Sequence, residues 1–319
     1  MPTPGPRLSG YALAAAGATL FASKGVIIKL AYQLGVTTEA LLTLRLALSA
    51  PVYLAIGLTA LVRGRAVPDW RLMVQAALVG ALGYWFASYT DFLGLQFISV
   101  QFERLILFTY PAFVLLFGAL FFRQPMRASA LVGVTVSYGG LVLMFATHLS
   151  STGAGLAHGA LLVLASAVAF AFYQLLAKGV IAQMGARLFT CTAMLGATGA
   201  TLLQFVCTQN PSTLLVGPKA MGEAVFLAIG ATIIPSFFLN MALERISAQA
   251  NGAIGTISPV VTILLAVVIL HERVTWTDAA ATALVLAGVA WFTLGEGRAR
   301  ARGRARAADA PTPAAETTA

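Results

Sequence analysis

Charge is what this chain lacks. Only 10% of its 319 residues are Asp, Glu, Lys or Arg and 59% are hydrophobic, whereas a soluble domain carries about 25% charged residues. A water-soluble fold would have too little polar surface to cover its apolar atoms. A bilayer reverses that requirement, because lipid accepts apolar surface while every backbone N–H and C=O must be satisfied within a helix or a closed barrel. Cysteine is equally sparse. Cys191 and Cys207 share one apolar run, which allows no local disulfide if the run is helical and offers no metal-ligand spacing. The histidines are His148, His158 and His271, and neither a Gly-x-Ser-x-Gly elbow nor a His-Glu-x-x-His run occurs, so an enzyme is the weakest reading. No Walker-type Gly-x-x-x-x-Gly-Lys-Ser/Thr run is present either, which argues against direct ATP hydrolysis.

What is present is length in the apolar runs. Barrel strands need only about 9–11 alternating residues, and the runs here are longer. Stretches of about 17–25 mostly apolar residues fall near 9–30, 40–62, 72–91, 97–122, 128–147, 156–178, 188–208, 221–243, 247–270 and 277–295. The fold expected is therefore an all-α integral membrane protein with ten transmembrane helices. The first run has no small-residue cleavage site before Lys24 and Lys29, so it reads as a span rather than a removed signal.

The net charge of +9 does not point to nucleic acid. Arg298, Arg300, Arg302, Arg304 and Arg306 supply five of those charges in one tail, without interleaved aromatics. With ten spans and a cytoplasmic N-terminus, cytoplasmic ends hold this tail with Arg7, Arg63, Arg65, Arg71, Arg123, Arg127, Lys178, Arg187 and Arg245. Outer ends hold Lys29, Lys219 and Arg273. The positive-inside rule thus predicts a multi-pass protein of the cytoplasmic membrane with both termini cytoplasmic. The bilayer and a small-molecule substrate are its expected partners; nothing calls for a cofactor or a metal, and the oligomeric state is not encoded legibly.

The sequence repeats itself. At an offset of 148 residues, Leu95, Ile98, Ser99, Gln101 and Pro111 meet Leu243, Ile246, Ser247, Gln249 and Pro259, and Gly140 meets Gly288. Phe21-Ala22 and Lys29 match Phe170-Ala171 and Lys178 one residue further on. Five spans per copy is an odd number, so the second copy enters the membrane from the opposite side, and inverted repeats of this kind permit alternating access to a central site. The expected organisation is a short cytoplasmic segment at 1–8, five-helix repeats at 9–147 and 156–295, and a disordered basic tail at 296–319.

Each copy carries a Pro-containing span followed by a short polar turn: Tyr110-Pro111 running to Arg123-Gln124, and Gly255-Thr-Ile-Ser-Pro259 running to His271-Glu272-Arg273. This paired pattern resembles the EamA-type permeases of the drug/metabolite transporter superfamily, with Gln124 departing from the Glu272 of the second copy. The resemblance extends over about residues 10–295. It implies a secondary transporter, in the direction of export, for small metabolites such as amino acids or amphiphilic compounds. A receptor or channel-like protein is the rival reading, although no filter or ring-forming motif is seen.

Ionisable groups inside spans usually face a cavity or a partner, since insertion there costs about 2.5–3.5 kcal/mol. Lys24, Arg45, Glu103 and Arg104 are such groups, with Asp91 at the outer edge of span three. Lys24 and Glu103 are candidates to contact substrate; alternatively they form an ion pair between spans one and four, or snorkel to an interface. Arg45 reads as structural. Asn251 is the second-copy counterpart of Glu103, and Gly252 that of Arg104, so the halves are chemically unequal. Pro111 and Pro259 are hinge candidates or static bends, with Tyr110 and Ser258 the nearest side chains. Trp85, Tyr89 and Tyr173 are further candidates for a pathway lining, against a packing or interfacial-belt role. Coupling to protons would need a titratable carboxylate, for which Glu103 and Asp91 are the candidates.

Overall fold

A computed structural model of the chain describes residues 6–63, 69–122, 128–152, 154–255 and 257–291. The basic tail, the extreme N-terminus and Gln124 lie outside them. Every described element is helical: α1 Pro6–Ala22, α2 Lys24–Gln33, α3 Thr38–Arg63, α4 Trp70–Gly80, α5 Ala87–Gly94, α6 Val100–Leu107, α7 Tyr110–Phe122, α8 Ala128–Thr152, α9 Ala154–Met184, α10 Ala186–Thr208, α11 Pro218–Ala228, α12 Ile234–Arg245, α13 Ala248–Ile254, α14 Ile257–Leu270 and α15 Trp276–Trp291. Joined where they run on, they form eight helices long and apolar enough to cross a membrane. The fifth and tenth expected spans are the shorter apolar helices Val132–Thr147, within α8, and α15.

The sequence dictates where the spans break. Pro111 has no N–H to give the Leu107 carbonyl and its ring would strike it. The chain accordingly turns at Phe108 and Thr109, where the Thr109 hydroxyl donates to the Ile106 carbonyl at 2.7 Å, before α7 begins. Pro259 stands at the same place in the first turn of α14, just after the α13–α14 break. Both prolines therefore start half-helices rather than bend continuous ones. Span one breaks at Ser23, whose hydroxyl donates to the Leu20 carbonyl at 2.9 Å. Spans three and eight are interrupted by π-helical turns at Ala81–Phe86 and Ile229–Ile233, which match at the repeat offset. Such turns insert one extra residue and are frequent at functional positions.

The packing obeys the same internal symmetry. α1 lies along α12 while α9 lies along α5, and α3 crosses α10 at the centre. At the first of these contacts Gly10 sits where a Cβ would meet Ile246 at 2.9 Å; at the second, Gly159 sits where one would meet Ile98 at 2.9 Å. Those isoleucines are matching residues of the repeat. Gly140 likewise abuts the backbone of Ala281, with 2.6 Å left for a Cβ, and Gly288 abuts that of Gly133. Between helices in lipid the hydrophobic effect provides no drive, so close backbone approach over small residues must supply the contact energy. The outward surface is apolar, with Leu58, Leu161, Leu203, Val206 and Val268 exposed as lipid-facing side chains.

Gly196 tests this packing, since a Cβ there would lie 2.6 Å from the Ala77 backbone, whereas one at Gly199 would meet nothing within 4 Å. Gly196→Val is expected to destabilise the protein by about 1–3 kcal/mol through overpacking. Gly199→Ala should leave the thermal melting of the detergent-solubilised protein unchanged.

Candidate functional site

The helix breaks surround one buried cavity. Its wall is built by α1 and α2 (Phe21, Lys24), by the π-turn and α5 (Tyr84, Ser88), by α6 and α7 (Arg104, Phe108, Tyr110), by α9 (Ser166, Phe170, Gln174) and by α13 and α14 (Asn251, Gly255, Ser258). Both repeats contribute. The space outside protein atoms is about 720 Å³, of which about 70 Å³ admits the centre of a water molecule. That is room for a few waters, so a metabolite needs the wall to open further. Gly255 keeps the wall tight: a Cβ there would come within 3.0 Å of the Tyr110 hydroxyl.

Charge is concentrated on the first-repeat side. The Lys24 ammonium donates to Asp91 Oδ2 at 2.6 Å, with 4% of Lys24 and none of Asp91 exposed. The Phe92 ring lies between two cations, 5.9 Å from Lys24 Nζ and 5.5 Å from the Arg45 guanidinium. Arg45 is wholly buried; its Nε donates to the Thr232 hydroxyl at 2.7 Å and its Nη1 to the Ser88 hydroxyl at 3.2 Å. Glu103 is also wholly buried. Its Oε2 is 3.8 Å from Arg104 Nε, and it packs over Gly25. Neither Glu103 oxygen nor Asp91 Oδ1 receives a hydrogen bond from a fixed donor.

The second repeat places neutral groups at matching depth. Tyr173, the counterpart of Lys24, donates to Asn240 Oδ1 at 2.7 Å, and Asn240 Nδ2 donates to the Thr190 hydroxyl at 3.0 Å. Asn240 is one residue beyond the counterpart of Asp91.

The structure thus sorts the residues singled out in the sequence. Lys24, Tyr110, Asn251 and Ser258 line the cavity, while Glu103 and Tyr173 lie directly behind its wall, Tyr173 bonding to the wall residue Tyr84 at 3.0 Å. Trp85 and Tyr89 do not line it: Trp85 Nε1 donates to Gln204 at 2.6 Å, and the Tyr89 hydroxyl to Glu39 at 3.3 Å. Lys24 pairs with Asp91 rather than with Glu103. Asp91 sits at the centre of the cluster rather than at an exposed end of its span: its side chain is wholly buried, three residues before α5 ends at Gly94. Gln174 and Ser166, which also line the cavity, were not distinguished by sequence. Arg104 was legible as an intramembrane charge, whereas a lone Gln or Ser in an apolar run carries no signal. Glu272 takes a structural part, accepting the Val100 N–H at 3.0 Å and so capping α6.

Two tandem helical repeats around a central pocket, with eight helices long and apolar enough to cross a membrane, are the architecture of a multi-pass membrane protein. The model of the EamA-like transporter family matches residues 8–146 and again 157–294, and the chain belongs to that family. It is 28% identical over 265 residues to an uncharacterized transporter of Bacillus subtilis, YcbK, covering 81% of this chain and 84% of that one. It is 25% identical over 252 residues to an uncharacterized transporter of Archaeoglobus fulgidus, covering 78% and 86%. A solved structure described only as the crystal structure of a protein shares the fold, with a TM-score of 0.67 over 92% of this chain and 99% of that chain at 21% identity.

Removing one member of the Lys24–Asp91 pair leaves the other buried without a counter-charge, which typically costs about 3–5 kcal/mol. Asp91→Ala should therefore lower thermal stability in detergent sharply. The double variant Lys24→Met with Asp91→Leu should recover most of the loss, since a well-packed apolar pair replaces a buried ion pair at little cost.

Proposed function

We propose that this protein is a secondary transporter that exports a small amphiphilic metabolite across the cytoplasmic membrane. Its ten helices, counting the two shorter ones, act as two inverted five-helix repeats that open the central cavity to one side and then the other. Both termini are cytoplasmic. The observation that carries this reading is the position of the cavity. It lies between the repeats, where half-helices and π-turns leave the wall able to rearrange, and such interrupted helices are where secondary transporters hold their cargo. Export is the direction that the resemblance to metabolite permeases implies.

Lys24, Tyr110, Asn251 and Ser258 contact the substrate, while Pro111 and Pro259 mark the hinges. The Asp91–Glu103 pair is the group able to take up and release a proton as the cavity changes sides.

The test is flux. Purified protein in proteoliposomes should move at least one member of a panel of labelled amino acids and amphiphilic metabolites. Lys24→Ala should abolish that flux in folded protein, and Leu203→Ala, on the lipid-facing surface, should leave it intact. If the pair couples transport to protons, Glu103→Gln will transport at a rate indifferent to an imposed pH gradient that accelerates the parent. A folded protein that moves nothing on a broad panel would return the receptor reading.

A further inference from the structure

We propose that the central cavity selects a small organic anion, a carboxylate carried on an apolar body, with Arg104 and Lys24 as its counter-ions. This rests on the transport reading and adds the sign of the charge on the cargo.

The first argument is which charges reach the cavity. Lys24 and Arg104 form part of its wall, whereas Asp91 and Glu103 are fully buried behind it, and among the described residues no acidic side chain lines it. A substrate therefore meets two cations and no anion. Behind them Arg45 adds a third positive group held only by hydroxyls and the Phe92 ring, with no carboxylate bonded to it. Three cations against two acids, Asp91 paired with Lys24 and Glu103 3.8 Å from Arg104, leave the cluster short of negative charge. In a low-dielectric interior that deficit calls for a counter-ion.

The second argument is donor capacity. Arg104 has five N–H donors, yet among the described residues its hydrogen bonding is confined to one long contact, Nη2 to the Phe21 carbonyl at 3.5 Å, and its buried Nε, 3.8 Å from Glu103 Oε2, makes no hydrogen bond. Lys24 gives one of its three N–H bonds to Asp91. Ser258 Oγ, also at the wall and 6% exposed, has no hydrogen-bond partner among the described residues. A carboxylate supplies acceptors for all three, and the planar guanidinium fork matches its two oxygens. The remainder of the wall, including Phe21, Leu107, Phe108 and Phe170, is apolar or aromatic and suits a hydrocarbon body. The cations of the head-group site belong to one repeat alone, because Gly252 occupies the position of Arg104 in the other and Tyr173 that of Lys24.

Four ligands with a common ring and different charge test the proposal: benzoate, benzamide, benzylamine and the zwitterion phenylalanine. Each is titrated into purified wild-type protein in detergent while the melting temperature is followed, and labelled benzoate is then followed in counterflow in proteoliposomes. Benzoate is expected to raise the melting temperature, with little effect from the other three. Arg104→Gln should weaken benzoate binding by about tenfold or more, as loss of a charged hydrogen bond does, and Arg104→Lys should restore part of it. If Arg104→Gln fails to fold, Ser258→Ala takes its place, with weaker benzoate binding again expected. Benzylamine or phenylalanine stabilising as strongly as benzoate overturns the proposal, as does benzoate binding untouched in the folded variants or no stabilisation by any of the four. Transport has a separate readout. Benzoate that binds but is not moved sinks the transport reading and leaves the anion site standing, whereas flux of panel compounds regardless of charge preserves transport and sinks the anion site.

Discussion

The buried contact between Lys24 and Asp91 is the constraint around which the rest is arranged. A lone charge among apolar helices in lipid is costly enough to prevent insertion or force neutralisation, so the 2.6 Å bond fixes α2 against α5. Phe92 then follows from Asp91 and fills the space between Lys24 and Arg45. Arg45, in turn, reaches across to Thr232 in the second repeat. One ion pair, one ring and one guanidinium thus connect spans one, two, three and eight at the same depth.

The repeat explains why a cavity exists beside that cluster. Proline at matching positions starts half-helices on both sides, and π-turns at matching positions disrupt the neighbouring spans. A continuous bundle of this composition would close over its small residues, as α5 and α9 do where Gly94 and Gly159 meet. The interrupted spans cannot close in that way, and their side chains line what is left. Symmetry of the backbone is not matched by symmetry of chemistry: Lys24 in one copy is Tyr173 in the other, and Arg104 is Gly252. The charged copy brings Lys24 and Arg104 to the cavity, while the neutral copy sets a hydrogen-bonded group of Tyr173, Asn240 and Thr190 behind the wall residue Tyr84.

Sequence reasoning reached the cavity by one route and missed it by another. Intramembrane charge and proximity to proline are local signals that picked out Lys24, Tyr110 and Ser258, and the repeat alignment picked out Asn251 as the counterpart of Glu103. Facing direction is not local. Trp85 and Tyr89 share a helical stripe in the sequence, but the π-turn that contains Trp85 changes which way the following residues point, and both side chains bond to residues outside the cavity wall. Asp91 looked peripheral because its distance from the end of an apolar run was counted along one helix, while its burial depends on Lys24, distant in sequence.

What the sequence determined by itself was the helical membrane class, the duplication and the presence of unavoidable intramembrane charge. Each of these follows from composition, run length or self-similarity, and each must be satisfied whatever the packing. Only the tertiary structure decided which charge pairs with which, where the spans break and which side chains share a cavity. Those outcomes depend on contacts between residues as far apart as Arg45 and Thr232, whose geometry is set by how the two repeats pack on one another.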